Sequence, residues 1–324
     1  MKTTLKRLTN YESLSKNEAK EIITNIAKGK YNESQIASFL TVFMMRNISL
    51  EELEGFREAL IELCISVDLS EFNTIDLCGT GGDGKDTFNI STLSSFVTAG
   101  AGIKVTKHGN YGVSSGCGSS NVLEALGIKF SNNKDFLKRC LEKAGICILH
   151  APLFHPAMKN VMPVRQELRY RTVFNILGPL TNPASVKYQL IGVYEKSLAI
   201  KMIEVLRNLN TKRAWVVHGS DGTDEISITG ETYVVELDRG KIREFKISPK
   251  DANLKSCDFS EILGGSPKYN AQKIEQLVNG EKSGFFYSVI FNSAVALNIS
   301  EKVKNIQDGV KMASDTLLLS LIHI

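Results

Sequence analysis

Residues 13–66 place their apolar side chains at helical spacing. Ile22, Ile23 and Ile26 fall on one face of a helix that opens at the capping box Ser15-Lys16-Asn17-Glu18 and stops at Gly29. A second helix starts over Asn32 to Gln35 and carries Ile36, Phe39, Leu40, Phe43 and Met44. Ser49 to Glu52 caps a third, with Leu53, Phe56, Leu60 and Ile61 along it. Three short helices bury little area by themselves. This block therefore predicts a covering element from later in the chain or from a second subunit.

The pattern changes across Glu71 to Thr74. Strands are predicted over Thr74–Cys78, Ile103–Thr106, Ile146–Leu149, Tyr188–Val193 and Ala214–Val217. Helices are predicted between them, up to about Ala99, over Val122–Leu126 ahead of Gly127, over Asn133–Ala144, and over Leu198–Leu209. Thr232–Leu237 and Lys241–Phe245 flank Asp238-Arg239-Gly240 as a hairpin. Helices are expected over about 270–278, 283–298 and 303–320. His155 to Pro183 breaks the alternation with prolines and arginines and is expected to return to the helical block. The class is α/β with two domains. A small helical domain covers 1–70 and is completed by about 160–185, and an α/β domain covers 71–159 and 186–324.

Length supports that division, since 324 residues are many for one hydrophobic core. The net charge of +4 suits a small anionic substrate and falls short of a nucleic-acid binder. The chain has no run of 18 apolar residues, and Met1 to Asn10 lacks an apolar signal core, so no membrane partner is expected. The six cysteines are scattered without a Cys-x-x-Cys pair, which predicts free thiols in a cytoplasmic setting. The last residues, Leu317 to Ile324, are unusually apolar. They read as a docked helix end or as a segment foreign to the natural chain.

The candidate chemistry gathers at predicted strand ends. Between Asp76 and Thr92, a strand empties into a loop with Gly79, Gly81, Gly82 and Gly84, and Asn89, Ser91 and Thr92 then open a helix. Such a loop exposes backbone N–H groups, and the helix start adds more, so the stretch reads as a phosphate cradle. It lacks the P-loop spacing. Gly79, Gly81 and Gly84 fit Gly-x-Gly-x-x-Gly, but Asp83 and Asp86 would oppose a bare pyrophosphate unless a metal ion or ribose hydroxyls intervene. Lys107, expected just after a strand, is a point charge for phosphate, with His108 and Asn110 beside it for a second substrate. Ser114, Ser115 and Ser119 could donate to the same anion or cap a helix. The adjacent carboxylates Asp224 and Glu225 read as a magnesium site or as a solvated acidic turn. Among Arg165, Arg169 and Arg171, one guanidinium could hold a carboxylate, and the residues alone do not choose. No Gly-x-Ser-x-Gly, His-Glu-x-x-His or EF-hand spacing is present.

Taken in order, Gly79-Thr80-Gly81-Gly82-Asp83, Asn89-Ile90-Ser91-Thr92, Lys107-His108-Gly109-Asn110, Val122 to Gly127, Val173 to Pro183 and Asp224-Glu225 resemble the anthranilate phosphoribosyltransferase family, to about residue 315. The resemblance implies a helical domain and an α/β domain with a central mixed sheet, of the kind shared with nucleoside phosphorylases. It implies transfer of phosphoribose from 5-phosphoribosyl 1-pyrophosphate to anthranilate in tryptophan synthesis. It also implies Mg2+ and a homodimer through the helical domain, and it leaves room for association with anthranilate synthase components.

Residue by residue, the resemblance gives Gly79, Gly82, Asp83, Thr87, Asn89, Ser91, Thr92, Lys107 and Ser119 to the phosphoribosyl pyrophosphate. Ser91, Asp224 and Glu225 become metal ligands. Asn110 and Arg165 become anthranilate contacts, which selects Arg165 for the carboxylate. Gly79, His108, Ala151, His155, Met158 and Gly178 would line the aromatic pocket. No dedicated catalytic base is implied, and His108 and Arg165 are the nearest candidates. The chain departs from the family pattern at Tyr111 (often Arg), Gly112 (often Ala or Ser) and Ser120-Asn121 (often Ala-Asp). Tyr111 removes a potential phosphate donor. Two other readings share the fold: a pyrimidine nucleoside phosphorylase-like enzyme, and a non-catalytic nucleic-acid-binding relative, of which more basic surface would be expected.

Overall fold

A computed structural model describes residues 1–112 and 116–318. The chain opens on four helices, α1 (Lys2–Thr9), α2 (Lys16–Ala27), α3 (Glu33–Met45) and α4 (Leu50–Glu62). Capping boxes at Ser15, Asn32 and Ser49 start the last three, as the sequence indicated. The first helix was not anticipated. Only its Leu8 is buried, so its apolar face is too narrow to stand out. Met44 was expected on the buried face of α3 but is 51% exposed, because Val42 turns inward instead.

The rest of the chain forms β1 (Ile75–Leu77), α5 (Ile90–Gly100), β2 (Val105–Gly109), α6 (Ser119–Ala125), α7 (Lys134–Ala144) and β3 (Ile146–His150). Next come α8 (Ala151–Phe154), α9 (Met162–Leu168), α10 (Val173–Leu177), β4 (Tyr188–Gly192), α11 (Ser197–Asn208) and β5 (Arg213–Gly219). The hairpin β6 (Thr232–Asp238) and β7 (Lys241–Ile247) and the helices α12 (Pro267–Val278), α13 (Gly284–Ile299) and α14 (Ile306–Leu318) complete it. The hairpin turns at Arg239 and Gly240, both at positive φ, with Asp238 paired to Lys241.

The seven strands lie in the order β3-β2-β1-β4-β5-β6-β7. The first five run parallel, and β6 and β7 are antiparallel additions, so the sheet is mixed. Strand order proceeds from β1 to β3 on one side and resumes with β4 on the other. The crevice at the C-terminal ends of β1 and β4 is thus the switch point where open α/β sheets bind ligands.

One core packs α5 and α13 on one sheet face, around Phe88, Val97, Phe286 and Phe291. Nearly every position of α13 is buried, in keeping with a sequence that is apolar nearly all round. A second core joins Phe39, Phe56 and Ile23 of the helical block to Val164, Val173 and Leu177 and on to α11. Helices α9 and α10 thereby lie against the N-terminal helices.

Helices α2 and α4 meet at Gly55, where a Cβ would come within 2.2 Å of the Lys16 carbonyl oxygen and 2.8 Å of Ala19 Cβ. Gly55→Ala should therefore destabilise the protein by about 1–3 kcal/mol despite alanine's better helix propensity. Urea denaturation measures this, and an unchanged or raised midpoint would contradict the close packing.

Candidate active site

Four strand ends converge on the switch point. After β1 the chain enters the glycine loop, where Gly81, Gly82 and Gly84 all have positive φ. A side chain at Gly82 would be strained by its positive φ and would have to displace Arg171, whose Cγ stands 2.7 Å from the Cβ position. Thr80 anchors the loop to the next strand. Its N–H donates to Gly192 O at 2.9 Å, and its hydroxyl accepts from Tyr194 N–H at 3.1 Å. Asp83, Thr87, Asn89, Ser91 and Thr92 line one cavity of about 230 Å³ with Gly79, Gly82 and Ser119. Asn89 opens α5 at its N-cap position, as expected, but makes no side-chain cap bond there, because its amide is engaged by Cys117 O and by Asn270.

Asp224 and Glu225, beyond β5, form one wall of this cavity. Asp224 Oδ2 accepts from Gly81 N–H at 2.7 Å, and Glu225 Oε1 accepts from Ser91 N–H at 3.1 Å. The carboxylate loop can lie this deep only because Gly79 and Gly192 have no side chains. A Cβ on Gly192 would fall 1.5 Å from Asp224 O, and one on Gly79 2.3 Å from Asp224 Oδ2. Asn292, in the middle of the apolar helix α13, grips Ile226 from behind. Its Oδ1 accepts from Ile226 N–H and its Nδ2 donates to Ile226 O, both at 3.0 Å. Neither Gly192 nor Asn292 was singled out from the sequence. An asparagine in the middle of a largely apolar helix was the available signal.

Recessed position pushes both carboxyl groups of the pair well above their usual range, and repulsion from neighbouring carboxylates adds to this, Asp83 for Asp224 and Asp224 for Glu225. Such a cluster favours a cation. Among the described residues no three acidic, His or Cys side chains form a cage of their own. Two recessed carboxylates and the Ser91 hydroxyl beside a phosphate cradle nevertheless fit magnesium, which commonly takes one or two carboxylates and completes its shell with substrate phosphates and water.

Lys107 and His108 were expected just beyond a strand. Both are instead inside β2 and buried, at 2% and 3% exposure, because the strand begins two residues later and runs on to Gly109. Lys107 Nζ donates to Leu77 O at 2.6 Å and has no salt bridge among the described residues. It lines the same cavity. Ser119 Oγ accepts from Asn110 N–H at 3.2 Å, and Asn110 stands where this cavity meets a second. Ser114 and Ser115 lie outside the described residues.

The second cavity, about 430 Å³, is lined by His108, Ala151, His155, Met158, Gly178 and Arg165, with Leu60, Phe174 and Leu177 among its apolar walls. Gly79 borders only the first. Arg165 is 5% exposed. One Nη donates to Asn175 Oδ1 at 3.2 Å, Nε has no partner, and no carboxylate faces it among the described residues. Burial lowers its pKa to about 10. Asn175 also donates to Thr80 O at 3.4 Å and so joins the arginine to the glycine loop, a link the sequence did not disclose. Arg169 and Arg171 are exposed.

The two histidines differ in their bonding. His108 Nδ1–H donates to Gly178 O at 3.0 Å, which leaves Nε2 as an unpartnered acceptor. Neither nitrogen of His155 is hydrogen-bonded. Burial lowers their pKa values to about 3 and about 4. Both rings are therefore neutral.

Residues 2–64 match the helical bundle domain of a glycosyl transferase family, and residues 71–318 match its a/b domain. Fold and cradle thus define a glycosyl transferase with a helical bundle set against a mixed sheet. Over 98% of its length the chain is 53% identical to an anthranilate phosphoribosyltransferase of Flavobacterium psychrophilum, covering 95% of that protein. The crystal structure of the Thermus thermophilus anthranilate phosphoribosyltransferase is similar at a TM-score of 0.89 and 34% identity, with 98% of this chain and 95% of that one covered. The Saccharomyces cerevisiae enzyme in complex with PRPP and Mg is similar at 0.89 and 27% identity, over 98% and 93%. The chain belongs to the anthranilate phosphoribosyltransferase family and is an enzyme of that kind.

The neutral histidines make a prediction about pH. In the unfolded chain, histidine charges below a pKa of about 6.5. The lowered folded value means that His155 contributes fully above that pH and loses its contribution as the pH falls toward about 4. Asp76, raised by burial to about 6, acts in the opposite sense, so the test is a difference. The stability gap between wild type and His155→Gln should shift by about 2 kcal/mol between pH 7 and 5, against the wild type. A gap independent of pH would contradict a neutral buried ring.

Proposed function

We propose that the first cavity binds 5-phosphoribosyl 1-pyrophosphate with Mg2+ and that the second binds anthranilate, the products being N-(5-phosphoribosyl)anthranilate and pyrophosphate, as in the second step of tryptophan synthesis. The observation that carries this reading is Arg165, a buried guanidinium without a carboxylate, facing an apolar chamber that opens onto the phosphate cradle. A planar aromatic acid supplies what both the arginine and the chamber lack. A nucleobase carries no carboxylate for Arg165, which disfavours the phosphorylase reading.

Gly79, Gly82, Asn89, Thr92 and Ser119 would hold the phosphoribosyl pyrophosphate through backbone and side-chain donors, with Lys107 as the fixed positive charge, while Asp83 and Thr87 face its ribose and pyrophosphate. Ser91, Asp224 and Glu225 would hold magnesium, which when bound supplies charge neutralisation for the departing pyrophosphate. Arg165 would fix the anthranilate carboxylate, and Asn110 would contact the same substrate. Ala151, Met158, His155 and Gly178 would pack against the ring. His108 Nε2 is placed to accept a hydrogen bond from the amine. Its low basicity makes this an orienting contact rather than proton removal, and a neutral arylamine needs no strong base. Catalysis then rests on positioning, which supplies up to about 7–11 kcal/mol, and on electrostatic help to the leaving group.

The reading extends to a cytoplasmic homodimer through the helical domain, where Tyr11, Met44 and Met45 are exposed apolar residues at 69%, 51% and 68%. All six cysteines are free thiols, in keeping with that compartment. No helix among the described residues is long and apolar enough to cross a membrane. Association with anthranilate synthase components rests on the family resemblance alone, and nucleic acid is not part of the reading.

Steady-state kinetics test it. Arg165→Ala should raise KM for anthranilate about 10- to 100-fold, the loss of charge-assisted hydrogen bonds of about 1.5–3 kcal/mol. KM for the pyrophosphate substrate should change much less, and equal effects on both would contradict the assignment. Asp224→Asn or Glu225→Gln should lower kcat by about 100-fold or more and raise the magnesium concentration needed for half-maximal rate. A magnesium dependence like that of the wild type would remove the pair from the metal site.

A further inference from the structure

The positions at which the chain departs from its family's pattern come together in one structure beside the active site. Tyr111 lies directly after Asn110 at the border of the first cavity, and its side chain is engaged by α6 and β3. Its hydroxyl donates to Glu124 Oε1 on α6 at 2.7 Å. Its ring meets His150 edge to face, with centroids 4.8 Å apart and planes at 82°. Phe130 stacks on His150 at 4.3 Å and 16°. Ser120 Oγ bonds His150 Nδ1 at 2.8 Å, both groups being buried. Asn121 Oδ1 accepts from Gly112 N–H and from Gly118 N–H, each at 3.0 Å, and so ties residue 112 to residue 118. Gly118 packs so closely on this neck that a Cβ would stand 2.2 Å from Gly112 N and 2.8 Å from Asn110 O.

The consequence falls on Asn110. Its Oδ1 accepts from Tyr111 N–H at 2.8 Å. A backbone N–H can only donate, so the amide orientation is determined: the carbonyl faces Tyr111 and the Nδ2 donors remain for the junction of the two cavities, which Asn110 lines on both sides. The direction of those donors depends on where the Tyr111 N–H points. The peptide that carries it is held on one side by Ser120 N–H, which donates to Asn110 O at 3.1 Å, and on the other by the Tyr111 side chain on Glu124 and His150.

We propose that Tyr111 is a positioning residue for the aromatic substrate. Through Glu124 and His150 it holds Asn110 with its amide donors toward the bound acid, and it takes no part in holding phosphate. The phenol–carboxylate bond to Glu124 is charge-assisted, which makes it the stronger of the two contacts that hold the Tyr111 side chain. The kinetic part of this inference rests on the transferase reading, and the exchange measurement below does not.

Three variants decide it. Tyr111→Phe keeps the ring on His150 and removes only the tether. Its KM for anthranilate should rise about 3- to 10-fold, as expected for one hydrogen bond to a charged group, with KM for the pyrophosphate substrate within about twofold. Tyr111→Arg restores a tether to Glu124 and should return the anthranilate KM to within about twofold of wild type. Tyr111→Ala removes tether and ring together and should exceed the Phe variant. In the resting protein, hydrogen exchange at the residue 111 amide should accelerate about tenfold in Tyr111→Phe and recover in Tyr111→Arg.

An unchanged anthranilate KM in Tyr111→Phe would overturn the proposal, as would a parallel rise in both KM values. A Tyr111→Arg enzyme that binds the pyrophosphate substrate more tightly without restoring anthranilate would overturn it too, by assigning this position to phosphate. A wild type that does not use anthranilate would refute the transferase reading itself. Exchange at residue 111 would then decide the tether: acceleration in Tyr111→Phe supports it, and no change overturns it.

Discussion

Between the ends of β1 and β4 there is room for backbone and for no side chain. Gly79 and Gly192 are separated from Asp224 by less than a carbon atom would need, and this close approach brings a loop from beyond β5 over the switch point of the sheet. The rest of the phosphate site follows. With Asp224 seated there, its carboxylate takes the Gly81 N–H and Glu225 takes the Ser91 N–H at the start of α5. Asn292 closes the arrangement from the far side of the sheet core. The cost is a cluster of recessed carboxylates that repel one another, and a cation with phosphate oxygens relieves it.

The second cavity has the opposite electrostatic character. Arg165 is a buried cation with an incomplete set of acceptors, and His108 and His155 are kept neutral by burial. A carboxylate on a flat apolar ring satisfies this chamber, whereas a phosphate suits the glycine loop. Asn175 ties Arg165 to Thr80, and Asn110 stands at the junction, so the two cavities are held in register by side-chain amides. On the proposed reading, specificity for which substrate enters where would arise from solvation, shape and the placing of Lys107 and Arg165.

Most elements were legible in the sequence because they carry local signals. The capping boxes, the αL glycines after α2, α6 and α7, and the hairpin at Arg239-Gly240 announce themselves within a few residues. The glycine loop and the acidic pair were legible as chemistry for the same reason. Long-range facts were not. That Gly192 must be glycine depends on a loop more than thirty residues later in the chain, and the use of Asn292 depends on the packing of α13 under the site. The burial of Lys107 within β2 escaped notice because a lysine at a strand end ordinarily signals solvent. The residues alone did not rank Arg165 above Arg169 and Arg171. Burial separates them, and burial is a property of the fold.

The proposed reaction needs two substrates to meet across the junction of these cavities, with magnesium on the carboxylate side. The most direct measurement follows anthranilate fluorescence over time with 5-phosphoribosyl 1-pyrophosphate, with and without magnesium, and identifies the products. The account predicts a magnesium-dependent loss of signal with phosphoribosyl anthranilate and pyrophosphate formed in equal amounts. A folded, magnesium-replete protein that leaves the fluorescence unchanged would contradict it.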